Sequence, residues 1–371
     1  MYVPLLDLAA QYEPIIPNIK NSIDKVLSSH QYILGPVVRE FEEDIEQYLN
    51  VKHAIGCASG TDALQLSLMA CNTSPKQKDI SVITTPFTFF ATASTIYRIG
   101  AKPIFVDIDE KTFNINPDLI ENAITENTFA IMPVHLFGQP AEMDKIMSIA
   151  QKYNLKVIED NAQGIGAKYK DKYAGTIGDI GTLSFFPSKN LGAMGDAGLC
   201  MTNCDETAAL LRQLRVHGEN PKYFHKYVGL NSRLDSIQAA VLKVKLKYLD
   251  EWSEARRKNA LRYYELLSDV KQIQLPYILP EVTTIFNQFT IICERRDELM
   301  TFLNKNKIGC AVYYPLPLHL QECFAGLGGK LGDCPVSEML AKKVLSIPIY
   351  SELTIEQIEY VANKIKTFYN I

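Results

Sequence analysis

Between residues 54 and 185 the chain alternates short apolar runs with stretches of helical periodicity, and this alternation restricts the fold more than any other feature. Strand-like runs occur at 54–58, 80–84, 103–107, 129–134, 155–159 and 181–185. Helical patterns at 62–71, 88–99, 117–124 and 142–153 separate them. Strands joined through helices lie parallel, and the helices cover the sheet because each must bury its apolar stripe. The chain therefore predicts an α/β architecture with a mostly parallel sheet. Ligands of such sheets bind beyond the carboxyl ends of the strands, so chemistry is expected from the residues that follow each run.

Two of those residues stand out. Val157-Ile158-Glu159 leads into Asp160, and Ser184-Phe185-Phe186-Pro187-Ser188 leads into Lys189, followed by Asn190-Leu191-Gly192. A lysine amine held out of bulk water can lose its proton and condense with an aldehyde. An aspartate that closes an apolar strand can keep a pyridine nitrogen protonated. Each has an ordinary explanation when taken alone: a lysine in a Pro/Ser/Asn loop is usually a solvated charge, and an aspartate at a strand end usually caps a helix or forms a turn. Together, in this order, they point to Schiff-base chemistry on pyridoxal 5'-phosphate (PLP).

A phosphate site is legible nearby. Ser59-Gly60-Thr61-Asp62 follows the strand-like His53–Cys57 and precedes an apolar helical run with Leu64, Leu66, Leu68 and Met69. Small residues at a helix start let backbone amides and a hydroxyl meet an anion, although Ser, Thr and Asp are also ordinary N-caps. No Gly-Lys-Ser/Thr follows, so the turn is not a P-loop. Gly164-Ile165-Gly166 fails as a dinucleotide fingerprint because Lys168 and Tyr169 stand where a third glycine belongs.

At 371 residues the chain exceeds the size at which one core keeps growing, and two units are expected: residues 1–249, a large cofactor-binding domain with N-terminal helices, and residues 250–371, a small α/β domain. Residues 12–50 read as two helices around the Gly35-Pro36 break, the second with Val38, Phe41, Ile45 and Leu49 on one face. Residues 233–267 read as one long helical segment, whose charged run Asp250–Lys258 is expected to be a solvated face. Beyond it come a strand at 286–292 and helices near 296–306 and 353–369. A net charge of −4 gives no footprint for nucleic acid or an anionic membrane. The eight cysteines are scattered, without zinc-ligand spacing, and read as reduced packing thiols with no metal. With no targeting or membrane-spanning segment in view, a cytoplasmic enzyme is expected.

Several longer motifs resemble a single family along nearly the whole chain: Gln31-Tyr32-Ile33-Leu34-Gly35-Pro36, the Ser-Gly-Thr-Asp turn, Thr85-Pro86-Phe87-Thr88-Phe89-Phe90-Ala91-Thr92, Glu159-Asp160-Asn161-Ala162-Gln163, the Lys189 loop, and Gly229-Leu230-Asn231-Ser232-Arg233-Leu234-Asp235. They resemble the DegT/DnrJ/EryC1/StrS aminotransferases, PLP enzymes acting on keto sugars attached to a nucleotide. The resemblance implies fold type I, the aspartate-aminotransferase-like fold. It makes Lys189 the covalent anchor and proton shuttle, Asp160 the partner of the pyridine nitrogen, Gln163 a donor to the ring hydroxyl and Phe89 the stacking ring. Ser184, Gly60, Thr61 and Asp62 fall on phosphate positions, and Asn231 on one that reaches the neighbouring subunit's phosphate, which implies a homodimer with shared sites. Tyr314 and His319 lie in a segment placed near the sugar nucleotide, and Arg233 offers a fork for a carboxylate or diphosphate. Glutamate is implied as amino donor. Among subgroups the motifs look most like transaminases of C3 in a UDP-2-acetamido-2-deoxy-3-keto-hexuronic acid, with dTDP- or UDP-4-keto-6-deoxyhexose aminotransferases as the alternative. A dehydratase on the same scaffold would carry histidine in place of Lys189, and a non-catalytic sugar-nucleotide-binding regulator remains the other class.

Overall fold

The computed structural model describes residues 1–72 and 79–371. Its centre is a seven-stranded sheet: β1 (His53–Cys57), β2 (Ser81–Thr84), β3 (Lys102–Phe105), β4 (Thr128–Ile131), β5 (Lys156–Asp160), β6 (Ile180–Ser184) and β7 (Gly198–Thr202), in the spatial order β1-β7-β6-β5-β4-β2-β3. The pairs from β3 through to β6 are parallel. Only β7 runs against its neighbours, with Cys200 opposite Ile55 on one side and Thr182 on the other. This strand was not expected from the sequence. All five of its residues are buried, and a continuous apolar run after a Gly-rich loop carries no alternation to mark it as a strand.

Helices pack on both faces because their apolar stripes have nowhere else to go. Helix Pro36–Leu49 buries Val38, Phe41, Ile45 and Leu49, and these join Leu183, Leu199 and Leu242 in one core. Helix Met143–Tyr153 covers the other side through Met143, Ile146 and Ile149. The stretch expected to be helical at 117–124 forms two short 3-10 turns instead, Pro117–Leu119 and Glu121–Ala123.

The segment 233–267 is two helices, Ser236–Leu246 and Leu249–Leu267. Tyr248, in the break, stacks on Trp252 at 5.8 Å. The charged run is also not wholly solvated. Arg256 is 2% exposed, its guanidinium donates to the carbonyls of Phe286 and Ile349, and burial lowers its pKa to about 10. The second helix leads to a small three-stranded sheet, Ile273–Gln274, Phe289–Cys293 and Val344–Ile347, backed by helices Arg296–Lys305 and Ile355–Tyr369. Val3, counted with the large unit in the sequence, packs in this second core and bridges to Ile308. Asp107, just beyond β3, ties the two parts together, its carboxylate accepting from the amides of Val336 and Ser337 and from the Ser337 hydroxyl.

Candidate active site

Four chain segments reach the same edge of the sheet. Asp160 ends β5 and Ser184 ends β6, the residues Thr85–Phe90 follow β2, and helix Gly60–Cys71 starts after β1. Because β1, β2, β5 and β6 point the same way, their carboxyl ends converge without any long-range device beyond the parallel pairing itself.

Lys189 sits in a tight turn whose own amide donates to Phe186 C=O at 2.8 Å. The next residue anchors the loop. Asn190 donates to Ile285 C=O and accepts from Asn287 Nδ2 at 2.7 Å, so the C-terminal part of the chain grips the loop. At Gly192 a Cβ would lie 2.3 Å from Pro187 C=O, which leaves no room for a side chain. Burial pulls the Lys189 ammonium down to about 8, with the nearby Asp160 charge opposing the fall. An appreciable part of the amine is therefore neutral near physiological pH, as a nucleophile requires.

Asp160 is 4% exposed. Burial pushes its carboxyl above the usual range, against the hydrogen bonds from Thr92 and the Ala162 amide and the charge of Lys189. Behind it lies a fully buried network. His135 Nδ1 accepts from the Ala141 amide, so its Nε2 carries the proton donated to Glu159 at 2.8 Å. The Glu159 carboxylate also takes the amides of Gly175, Ile177 and Gly178. Burial raises the Glu159 carboxyl, but the His135 bond and these amides more than offset it and hold the group below its ordinary value. The His135 amide donates to Asp160 C=O at 3.0 Å, which fixes the strand end.

The phosphate turn has a matching economy of donors. Ser59 Oγ caps the Asp62 amide and Ser59 C=O takes the Ala63 amide, so the N-cap expected of such a sequence is present. The amides of Gly60 and Thr61 have no protein acceptor among the described residues and are free for an anion. A Cβ on Gly60 would lie 2.5 Å from Ser184 Cβ, and the turn therefore sits directly against Ser184.

Gln163 has a defined orientation. Its Oε1 accepts from the Phe137 amide at 2.7 Å and its Nε2 donates to Tyr314 OH at 3.2 Å, leaving one further N–H for a ligand. Tyr314 is brought beside Phe89, ring centroids 6.4 Å apart, and burial holds its phenol well above the ordinary value. Phe89 is 58% exposed, which excludes a core role and leaves a ring face open to stacking.

His319, expected near the substrate, is 3% exposed, with Nε2 bonded to Glu338 at 3.0 Å, and Glu338 in turn accepts from the amides of Gly332 and Cys334. Its ring packs beside Phe105 of the edge strand β3, and Nδ1 has no partner among the described residues. Arg233 is half-buried, without an ion pair among the described residues, and Asn231 is exposed. The residues that sequence reasoning missed are Thr92, which stood in a quoted motif without a role, and the His135–Glu159 pair. A lone buried histidine gives no sequence signal.

The arrangement fits PLP: a partly neutral lysine, a buried carboxylate for the ring nitrogen, an open aromatic face, an unspent Gln163 donor and free amides at a helix start. Fold and site together define a fold-type-I PLP-dependent transferase. The family model described as "DegT/DnrJ/EryC1/StrS aminotransferase family" matches residues 14–366, and the chain belongs to that family. It is 51% identical to the "Pleiotropic regulatory protein" of Geobacillus stearothermophilus, covering 100% of this chain and 99% of that one. It is 43% identical to the UDP-N-acetyl-3-dehydro-alpha-D-glucosamine 3-aminotransferase of Acidithiobacillus ferrooxidans, over 98% of this chain and 97% of that one. Among solved structures, NtdA from Bacillus subtilis with bound cofactor PMP superposes with a TM-score of 0.92 at 34% identity, covering 100% of this chain and 86% of that one. The protein is a PLP-dependent sugar aminotransferase.

Proposed function

We propose that the protein transfers the amino group of glutamate to C3 of a UDP-linked 2-acetamido-3-keto sugar, a hexuronic acid by preference, for surface polysaccharide or glycan synthesis, working as a cytoplasmic homodimer. The observation that carries the chemistry is the pairing of a depressed Lys189 amine, in the turn beyond β6, with a buried Asp160 at the end of the adjacent β5. The substrate reading is supported by the identity to the Acidithiobacillus enzyme, whose name gives a UDP-3-keto sugar.

Bound at this edge, the cofactor supplies an electron sink for the carbon that bears the amine. The protein's own residues do the rest. Lys189, tethered through Asn190, holds the amine that would attach the cofactor and, once freed, would move a proton between the amine-bearing carbon and C4′ of the cofactor within each half-reaction. Asp160 keeps a negative charge where the ring nitrogen needs one. Gly60, Thr61 and Ser184 hold the phosphate end, at a turn whose Asp62 amide is spent on Ser59 Oγ; Phe89 covers the ring face, and Gln163 with Tyr314 bounds its hydroxyl side. Asn231, exposed on its own chain, is assigned to the partner's phosphate, and Arg233 to an anionic group of the substrate.

The identity to a protein named as a regulator is compatible with this reading, because Lys189 and Asp160 are both in place and a dehydratase would lack the lysine. The test is a panel of 3-keto and 4-keto nucleotide sugars with glutamate, product amines being read by mass spectrometry. Amination of UDP-3-keto substrates alone supports the proposal. Amination of only dTDP- or UDP-4-keto-6-deoxyhexoses refutes the C3 assignment, and a purified protein with no visible absorbance band sensitive to borohydride refutes catalysis by Lys189.

A further inference from the structure

Hydroxyls on helices usually donate back to a carbonyl three or four residues earlier, and this chain follows the habit closely around the site. Ser67 donates to Ala63 C=O, while Ser94 and Thr95 both donate to Ala91 C=O. Thr92, on the same helix as Ser94 and Thr95, does not. Its Oγ1 donates to Asp160 Oδ2 at 2.8 Å, a residue 68 positions away. An ionised carboxylate only accepts, so the direction of that bond is fixed. Thr88 Oγ1 lies 3.0 Å from Thr92 Oγ1, and with Thr92's single proton already committed, Thr88 must be the donor.

The result is a directional chain, Thr88 to Thr92 to Asp160, whose three members are each 4% exposed or less. Water cannot stand in for a lost hydroxyl at such depth without a cavity to hold it. The other carboxylate oxygen, Oδ1, accepts from the Ala162 amide at 3.2 Å, so each oxygen has one protein donor and keeps a lone pair. The other titratable groups that feel the Asp160 charge are Lys189, His135 and Tyr314; the His135 ring is already committed to Glu159 and Ala141, and the Tyr314 hydroxyl meets Gln163. Among the described residues Thr92 is thus the one side-chain hydroxyl bonded to this carboxylate.

We propose that Thr92, oriented by Thr88, is a positioning residue for the reaction: it keeps Asp160 ionised and fixes the carboxylate's rotation, so that the ring nitrogen of the bound cofactor stays protonated. The inference rests on the role assigned to Asp160 above and extends it to two threonines that act through that carboxylate. The burial that raises the Asp160 carboxyl makes the extra donor necessary, because a carboxylate short of hydrogen bonds in an apolar site takes up a proton.

The test reads the nitrogen directly. Holoenzyme is reconstituted with 15N-labelled pyridoxal phosphate, and the ring-nitrogen resonance separates protonated from unprotonated forms. Thr92→Val removes the hydroxyl at nearly constant shape and Thr92→Ser restores it. Wild type and Thr92→Ser should show a protonated nitrogen at neutral pH, and Thr92→Val should show it largely lost. The rate of the glutamate half-reaction should fall roughly ten- to hundredfold in Thr92→Val, the loss expected for a hydrogen bond to a charged group, with Thr92→Ser within about threefold of wild type. Thr88→Val, which leaves Thr92 in place but unoriented, should shift the resonance in the same direction by less, and it serves as the second arm if Thr92→Val does not fold. A nitrogen as protonated in both valine variants as in wild type overturns the relay even if turnover drops. An unprotonated nitrogen in wild type overturns the role of Asp160 and the relay with it. The readout needs no sugar, so failure of the substrate panel sinks the substrate assignment alone.

Discussion

Replacing Lys189 with methionine should destroy turnover and make the cofactor-free protein more stable. The folded state lowers the pKa of this lysine from its ordinary 10.5 to about 8, and each tenfold change in proton affinity corresponds to about 1.4 kcal/mol. The fold thus disfavours the ammonium form by roughly 3 kcal/mol, and discounting for the partial exposure of the side chain leaves about 2 kcal/mol. The sign follows from the direction of the shift. Below about pH 8 both folded and unfolded chains carry the charge and the penalty is complete; between 8 and 10.5 the folded amine is already neutral and the penalty fades; above 10.5 it is gone. Lys189→Met, apolar and of similar length, should therefore raise the unfolding free energy of the apoprotein by about 2 kcal/mol at pH 7, with the gain shrinking as pH rises through that window. Urea unfolding at fixed protein concentration, followed by circular dichroism and by the fluorescence of Trp252, the only tryptophan in the chain, measures it. Stability equal to or below wild type at pH 7, or a gain that does not shrink with pH, would refute the reasoning. Stability gained by removing a catalytic group is what a strained site predicts.

Asp160→Asn should lower kcat by at least about a hundredfold while cofactor still binds, measured by half-reaction kinetics; an unchanged kcat would mean another acid serves the ring. Mixing Lys189→Ala chains with Asn231→Ala chains should restore one working site per mixed dimer if Asn231 acts across the interface, provided Asn231→Ala alone is severely impaired, and activity in a monomeric preparation would remove that claim. Glu159→Gln should cost about 3 kcal/mol in chemical denaturation, because an amide NH2 would face the donors His135, Gly175, Ile177 and Gly178. His319→Ala should lower the melting midpoint and leave KM for the sugar nucleotide unchanged; a raised KM at unchanged melting would restore His319 to the substrate pocket.

The sequence by itself determined what local pattern can determine. The βα alternation specified a parallel sheet, and the parallel sheet specified that Asp160, Ser184 and the Gly60 turn would emerge at one edge. Lys189 and Asp160 were legible because their chemistry depends on residue type and strand-end position, both of which are local. Tertiary structure decided what depends on partners far along the chain. The strand Gly198–Thr202 was hidden because a fully buried run has no period. Arg256 looked solvated because two backbone carbonyls that receive it come from residues 286 and 349. The bond from His319 to Glu338, and the amides that hold Glu338, could not be read from the sequence because they depend on how the segment 318–338 folds back on itself. Thr92 illustrates the limit most clearly: nothing in its neighbourhood distinguishes it from Thr95, and only the placement of its helix start beside the Asp160 carboxylate sends one hydroxyl to a side chain and the other to the backbone.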